Sequence, residues 1–172
     1  MQKIVTAQSR DLPALSKCMR RSEIPFESSF LSEEKLNEAI EEGRVSILKD
    51  GASLYGFASY YDFPLEAIFP NSAKKQNDFL ESIGYRGEPL LLLEAVYCDP
   101  MRQRKGYASL LLSSLFSKKK DATFLTVLPM DRMEFLPFFK EARFVPYGFL
   151  ESGALLLVRK KKKEGLCSDP SF

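Results

Sequence analysis

The stretch from Cys98 to Leu112, CDPMRQRKGYASLLL, places cations immediately before a predicted helix. Arg102, Arg104 and Lys105 lie on the approach to Gly106, where an apolar pattern with helical spacing begins. The first turn of a helix presents unpaired N–H groups and about half a positive elementary charge, which disfavours cations there. A bound phosphate or pyrophosphate would remove this conflict, because helix N–H groups bind such anions well. The alternative is a set of solvated loop cations before an ordinary helix.

Glu94 is the second residue whose position suggests chemistry. It lies in the middle of the run PLLLLEAVYCD, residues 89 to 99, which is otherwise apolar and predicts a strand covered on both faces. A carboxylate buried there without a partner would cost on the order of several kcal/mol. Partial burial would raise its pKa from about 4.3 toward the range that a general base needs. The alternative is a structural ion pair with an arginine.

The composition excludes several kinds of active site. The chain has no histidine, which removes the Ser-His-Asp and Cys-His mechanisms and the usual zinc sites. Cys18, Cys98 and Cys167 are too widely spaced to indicate a disulfide framework or a metal cluster, so no metal is expected. Cys98 is a conceivable acyl carrier, but backbone pairing is the preferred interpretation of its position. The net charge of +2 argues against nucleic acid as a partner.

The length of 172 residues suits one compact domain rather than two. We predict a single domain over residues 1–160 and a loose basic tail over 161–172. The cationic run from Arg159 to Lys163 is interpreted as solvated, with nucleic acid or anionic lipid as the alternative contact. The sequence shows no signal-like N-terminus and no apolar run long enough to span a bilayer, so we expect a cytoplasmic protein without a membrane partner.

Periodicity and turn signals predict a mixed sheet with helices on both faces. The segment 64–88 is irregular, with one short helix near Asn77 to Ile83, and is either a connection or a wall on the substrate side. The other predicted elements are a strand at 3–8, helices at 9–21 and 32–44 capped by Ser9 and Ser32, a hairpin at 44–63, the strand at 89–99, a helix at 106–120, a strand at 122–129, a helix at 133–144 interrupted by Pro137, and a hairpin at 145–160.

Residues Gln103 to Ala108, QRKGYA, resemble the Q/R-x-x-G-x-G/A motif of the GNAT acetyltransferase superfamily. The motif follows a predicted strand and precedes a helix, as in that family, and the order of elements matches from about residue 3 to 160. The resemblance implies an α/β (α+β) fold, in which a mixed and mostly antiparallel sheet of about six or seven strands has helices on both faces. Proteins of this kind are frequently dimers, so a homodimer is one assembly that the resemblance allows, and the sequence leaves the oligomeric state open.

The resemblance also implies an activity, the transfer of acetyl from acetyl-CoA to a primary amine of a small molecule or peptide. The pyrophosphate would bind the amides of residues 104 to 109, the pantetheine arm would pair with the main chain of residues 96 to 98, and Glu94 would act as the general base. The implied cofactor-binding residues are Val96, Tyr97, Cys98, Gln103, Arg104, Lys105, Gly106, Tyr107, Ala108 and Ser109.

The sequence departs from the family pattern where a tyrosine often protonates the leaving thiolate. Phe139 stands at the tyrosine position and Arg143 at the glycine of the Y-x-x-x-G-F pattern. A thiol of pKa about 8.5 leaves tolerably without protonation, so this loss need not abolish turnover. The alternative function is therefore a catalytically weak or inactive domain that binds acyl-CoA. Candidate substitutes for the missing acid are Tyr97, Tyr107 and Tyr147, while Phe135, Phe138, Phe139 and Phe144 are expected in the core.

Overall fold

The structure is a computed structural model that describes residues 1–21, 33–102 and 105–159. The expected cap at Ser32, the motif residues Gln103 and Arg104, and the tail 161–172 lie outside the described residues. Within the described part of the chain, no helix is both long enough and apolar enough to cross a membrane.

In the described part of the chain, seven strands form one sheet in the order β1-β2-β3-β4-β5-β7-β6. Every neighbouring pair is antiparallel except β4 and β5, which run parallel. The prediction of a mixed, mostly antiparallel sheet is therefore confirmed. The strands are β1 (Gln2–Thr6), β2 (Val45–Asp50), β3 (Ser53–Asp62), β4 (Leu90–Cys98), β5 (Thr123–Leu128), β6 (Phe144–Phe149) and β7 (Leu155–Arg159).

Helices cover both faces of this sheet, as predicted. The first four pack on the face that carries Phe57 and Leu92, and the last two pack on the face that carries Leu93 and Leu157. The helices are α1 (Leu12–Arg21), α2 (Glu33–Glu41), α3 (Leu65–Ile68), α4 (Ala73–Ser82), α5 (Tyr107–Lys118) and α6 (Leu136–Glu141), with short 3-10 turns at Ser9–Asp11, Pro100–Arg102 and Met130–Phe135.

The segment 64–88 is more regular than the sequence indicates, because α3 and α4 occupy more than half of it. α4 is mostly polar, and it is anchored by Phe79, which is completely buried. Its N-terminus is capped by Ser72, whose hydroxyl accepts a hydrogen bond of 3.2 Å from the backbone N–H of Lys75. One buried aromatic side chain and one cap thus hold a helix that shows little apolar periodicity.

Two further local expectations were wrong. Ser9 is not an N-cap but lies inside a 3-10 turn, and the backbone N–H of Gln8 instead donates to the Asp11 carboxylate at 2.9 Å. Pro137 does not interrupt a helix, because α6 begins one residue earlier. A proline is tolerated in the first turn, where its missing N–H has no intrahelical partner. Of the four predicted core phenylalanines, Phe139 and Phe144 are buried, while Phe135 and Phe138 are partly buried against the same cluster.

Gly56 lies on β3 at a point where β4 and α5 pack closely against it. A Cβ at this buried position would overlap the carbonyl oxygen of Tyr97 and press on Leu111. We expect Gly56→Ala to lower the free energy of unfolding by about 1–3 kcal/mol in urea denaturation, since neither backbone nor helix has room to move. Gly148→Ala in β6 is the matched control, because nothing lies within 4 Å of its added Cβ. Equal losses in the two variants would contradict this explanation.

Candidate active site

The sheet opens between its two parallel strands. β4 pairs with β5 only from Leu90 to Leu92, opposite Thr123 to Leu125. The hydroxyl of Thr126 donates to the carbonyl of Leu93 at 3.1 Å and closes the base of the opening. From Glu94 onward, the edge of β4 that faces β5 has no strand partner among the described strands. Its backbone groups are therefore available to a bound molecule.

Glu94 lies at the start of this opening because of a β-bulge. On β3, Ser59 pairs with Ala95 and Tyr60 pairs with Leu93, which leaves Glu94 as the extra residue of β4. A bulge re-aims the side chain that it contains and disrupts the ladder locally. The carboxyl group consequently lies near Ser59, Tyr61 and Lys35, on the face that α2 covers.

The surroundings of Glu94 favour its protonated form. Burial raises the pKa of this carboxyl, while the Lys35 ammonium and, to a smaller extent, the nearby Ser59 hydroxyl offset part of that rise. The Ser59 oxygen is fully buried and forms no hydrogen bond of ordinary geometry, so its effect is the weaker one. Burial and the Glu94 carboxylate together raise the pKa of Tyr61 to about 12, so that its hydroxyl stays protonated at neutral pH.

A cavity of about 940 Å³ opens above Glu94. Its walls come from α2, α3, the ends of β3 and β5, and the turn between β6 and β7. Apolar side chains form much of the wall, and carboxylates stand on both sides of the opening. The polar and charged lining includes Lys35, Glu38, Tyr61, Asp131 and Ser152.

Among the described residues, no side-chain cap is present at the N-terminus of α5, and its first turn has no acidic residue. Leu110 is the first residue whose N–H bonds within the helix, to the Gly106 carbonyl at 3.0 Å. The preceding three N–H groups, at residues 107 to 109, are therefore without helical partners. Gly106 has a φ of 76°, and a Cβ there would meet nothing within 4 Å, so the backbone conformation itself favours glycine.

Three of the expected cofactor-binding residues lie on β4 beside the opening in the sheet. Val96 and Cys98 are half-buried in the strand beside the opening, and Tyr97 is buried with its ring stacked on Phe57 at 5.0 Å between centroids. Burial, reinforced by Asp99, raises the pKa of the Cys98 thiol to about 11. A thiol held in this protonated form is a poor nucleophile, which argues against an acyl carrier.

The three tyrosines considered as substitutes for the general acid do not line the cavity. The Tyr107 hydroxyl accepts from the Gln2 amide at 2.9 Å, and the Tyr147 ring packs against Phe79 at 4.9 Å between centroids. Tyr61 does line the cavity, and the sequence interpretation missed it. The signal was present in the two-residue spacing of Ser59 and Tyr61, which places both side chains on one face of β3.

Among the described residues, no group of three or more histidine, cysteine, aspartate and glutamate side chains could hold a metal ion.

The raised pKa of Glu94 predicts a pH-dependent gain in stability for Glu94→Gln. The folded state binds this proton more tightly than the unfolded state, so wild type loses stability as pH rises from the unfolded pKa through the folded one. The Glu94→Gln variant has no carboxyl group at this position, so it does not lose folding stability in this way. Its melting temperature should exceed that of wild type at pH 7, and the difference should shrink toward zero below pH of about 4. The exposed Glu66→Gln is the control, and a pH-independent difference would contradict the prediction.

No family model matches the sequence, and no curated protein matches it significantly. Solved structures do resemble the fold along nearly its whole length. A GNAT acetyltransferase from Bacillus cereus is 21% identical, with 95% of this chain and 99% of that chain covered and a TM-score of 0.64. A GNAT acetyltransferase from Streptococcus agalactiae is 12% identical, with 94% and 96% covered and a TM-score of 0.72. The PaiA N-acetyltransferase of Thermoplasma acidophilum, solved with coenzyme A, is 15% identical, with 93% and 99% covered and a TM-score of 0.64. The chain therefore has the fold of the GNAT acetyltransferases.

Proposed function

We propose that the protein is an N-acetyltransferase that transfers acetyl from acetyl-CoA to a primary amine by direct attack, with Glu94 as the general base. The observation that carries this proposal is the position of Glu94. It is a half-buried carboxylate on a bulge, at the point where β4 and β5 separate and beneath a cavity large enough for a second substrate.

The free edge of β4 and the N-terminus of α5 offer groups that suit acetyl-CoA. The unpaired edge of β4 at residues 96 to 98 offers backbone groups to the amide-rich pantetheine arm. The uncapped N–H groups of residues 107 to 109 offer donors to the pyrophosphate, and the exposed Lys105 stands just before them. The proposed set also includes Gln103 and Arg104, on the resemblance of their motif. A coenzyme A complex of a protein with this fold supports the assignment.

The proton path follows from the position of the carboxylate. An amine that enters as its ammonium form must lose a proton before its lone pair can attack the thioester carbonyl carbon. Glu94 accepts this proton, directly or through a water molecule. The new C–N bond forms, the C–S bond breaks, and the electron pair leaves with sulfur as a thiolate. The acylated nitrogen loses its second proton to that thiolate or to solvent, which leaves the neutral amide. Because the corresponding thiol has a pKa of about 8.5, the thiolate leaves without an obligatory proton donor.

The acceptor would enter through the cavity on the α2 face. Its apolar walls suit an aliphatic or aromatic body, and the carboxylates of Glu38 and Asp131 suit the cationic form in which amines arrive. Lys35 has a different role, since its charge lowers the pKa of Glu94. That effect keeps more of the base ionised at neutral pH.

Glu94→Gln should bind acetyl-CoA normally and lose activity. We expect kcat/KM at neutral pH to fall by about 10²–10⁴, because the variant cannot accept the proton. The measurement is thiol release from acetyl-CoA across a panel of amines and peptides, beside isothermal titration with coenzyme A. An unchanged rate would remove the base assignment, while loss of coenzyme A binding would indicate a structural role instead.

Lys35→Met should move the acidic limb of the pH profile to higher pH. The methionine removes the cation that partly offsets the burial of Glu94, so the pKa of the base rises further. At high pH the variant and wild type should then have similar rates. Lys74→Met, an exposed substitution on α4, is the matched control. A uniform loss of rate at all pH values would contradict electrostatic tuning by Lys35.

The buried position of Phe139 favours one alternative, an acyl-CoA-binding domain with little or no turnover. Its ring lies in the core with 1% of its surface exposed, where no hydroxyl is present to protonate a thiolate. Coenzyme A binding without thiol release on any acceptor of the panel would support the binding domain. Protection of the amides of residues 105 to 109 from hydrogen exchange by acetyl-CoA is expected under both functions.

A further inference from the structure

Ser59 has a buried hydroxyl group for which the fold provides no partner at ordinary hydrogen-bonding geometry. The residue has 0% of its surface exposed. Within the described part of the chain, its oxygen is the one buried side-chain polar atom that is left in this state. A buried hydroxyl without a hydrogen bond is costly, so such groups are uncommon in folded proteins. Its surroundings indicate what the group does.

Strand register places the Ser59 side chain on the face of the sheet that α1 and α2 cover. Ser59 pairs with Ala95 of β4. Two residues earlier on the same face, Phe57 pairs with Tyr97, and these rings and the Ala95 methyl belong to the apolar cluster beneath α1 and α2. Two residues later on that face, Tyr61 lines the large cavity. Apolar groups therefore lie on one side of the Ser59 hydroxyl, and the polar part of the cavity lies on the other.

The β-bulge brings the Glu94 carboxyl group to this polar side. Glu94 is the extra residue of β4, between the residues that pair with Ser59 and Tyr60. Its carboxyl group lies close enough to the Ser59 hydroxyl for that hydroxyl to oppose, weakly, the effect of burial on its pKa. The two groups are thus buried neighbours whose hydrogen bond is incomplete.

We propose that Ser59 is a positioning residue, whose hydroxyl donates to the ionised Glu94 carboxylate and holds it at the opening of the sheet. This inference rests on the proposed function, since it concerns the same general base. A charged carboxylate is a stronger acceptor than a neutral carboxyl group, so the hydrogen bond is strongest when Glu94 is ready to accept a proton. A turn of the serine side chain about its Cα–Cβ bond completes the hydrogen bond, and Glu94 remains the group that exchanges the proton.

Other titratable groups also surround Ser59 and Glu94, and they come from every element that packs around the pair. They are Cys18 on α1, Lys35 and Glu38 on α2, Glu42 and Arg44 before β2, Tyr60 and Tyr61 on β3, Tyr97 on β4 and Asp131 after β5. All of them remain in Ser59→Ala, because this substitution removes a hydroxyl group and no charge. A pH-dependent difference between the variant and wild type therefore reports on the hydroxyl.

The thermal stability of Ser59→Ala tests the proposal without turnover. At pH of about 4 the Glu94 carboxyl group is protonated in both folded proteins, so their melting temperatures should be close. At higher pH the variant lacks the donor to the carboxylate, so the pKa of its folded state is higher and it loses more stability than wild type. We expect its melting temperature to fall by about 3 °C relative to wild type between pH of about 4 and about 8.

Two controls make this result specific to the pair. Ser46→Ala removes a buried serine hydroxyl from β2, on the face that α5 covers, and its effect should not depend on pH. In the Glu94→Gln background, Ser59→Ala should show no pH-dependent fall, because no carboxylate forms there. An equal fall with and without Glu94 would overturn the proposal, as would a difference between Ser59→Ala and wild type that does not change with pH.

Kinetics separate this proposal from the proposed function. In Ser59→Ala, coenzyme A affinity should be unchanged, the acidic limb of the kcat/KM profile should move to higher pH, and the rates should approach those of wild type at high pH. In a chain that turns over, a limb that does not move would overturn the role of Ser59. If no acceptor releases thiol while the pH-dependent thermal difference is present, the proposed function fails and the hydrogen bond from Ser59 to Glu94 stands.

Discussion

The two edges of β4 pair over very different lengths, and the opening in the sheet results from this difference. One edge of this strand pairs with β3 along almost its whole length, whereas the other pairs with β5 over three residues. Buried backbone groups require partners, and leaving a strand edge open inside a sheet is costly unless solvent or a ligand satisfies it. The fold tolerates the opening because α5 and the helices of the other face cover it from both sides. Glu94 is thereby placed inside the sheet rather than on a surface loop.

The bulge at Glu94 shows how a small irregularity of a sheet changes the surroundings of one side chain. Leu93 packs on the face that α5 covers, whereas Ala95 packs toward α1 and α2. The extra residue lets the Glu94 carboxyl lie on the same side as Ala95, where the Lys35 charge and the Ser59 hydroxyl offset part of the rise in pKa that burial causes. The same feature separates the two proposed binding regions, since the amine side lies on the face of α2 and the coenzyme side along the edge of β4.

Strong local patterns were readable from the sequence. The apolar run of β4, the helical spacing of apolar residues in α5 and the hairpin of β2 and β3 each depend on residues close together in the chain, and the structure contains all three. The helix α4 was less readable, because it is held by one phenylalanine that packs against distant strands. The bulge and the cavity around Glu94 depend on contacts between separate elements, which spacing alone does not reveal. Glu94 was identifiable because a lone carboxylate in an apolar strand is costly wherever it lies.

The short parallel contact between β4 and β5 also divides the sheet into two blocks, β1 to β4 and β5 to β7. Within each block the strands pair in antiparallel order, mostly with chain neighbours. The backbone seam between the blocks has three residue pairs and the Thr126 hydroxyl, and apolar packing also crosses it, as where the Tyr60 ring meets the Phe124 ring at 6.3 Å between centroids. A molecule bound along that seam would join the two blocks mechanically, so occupancy and the rigidity of the whole sheet are coupled.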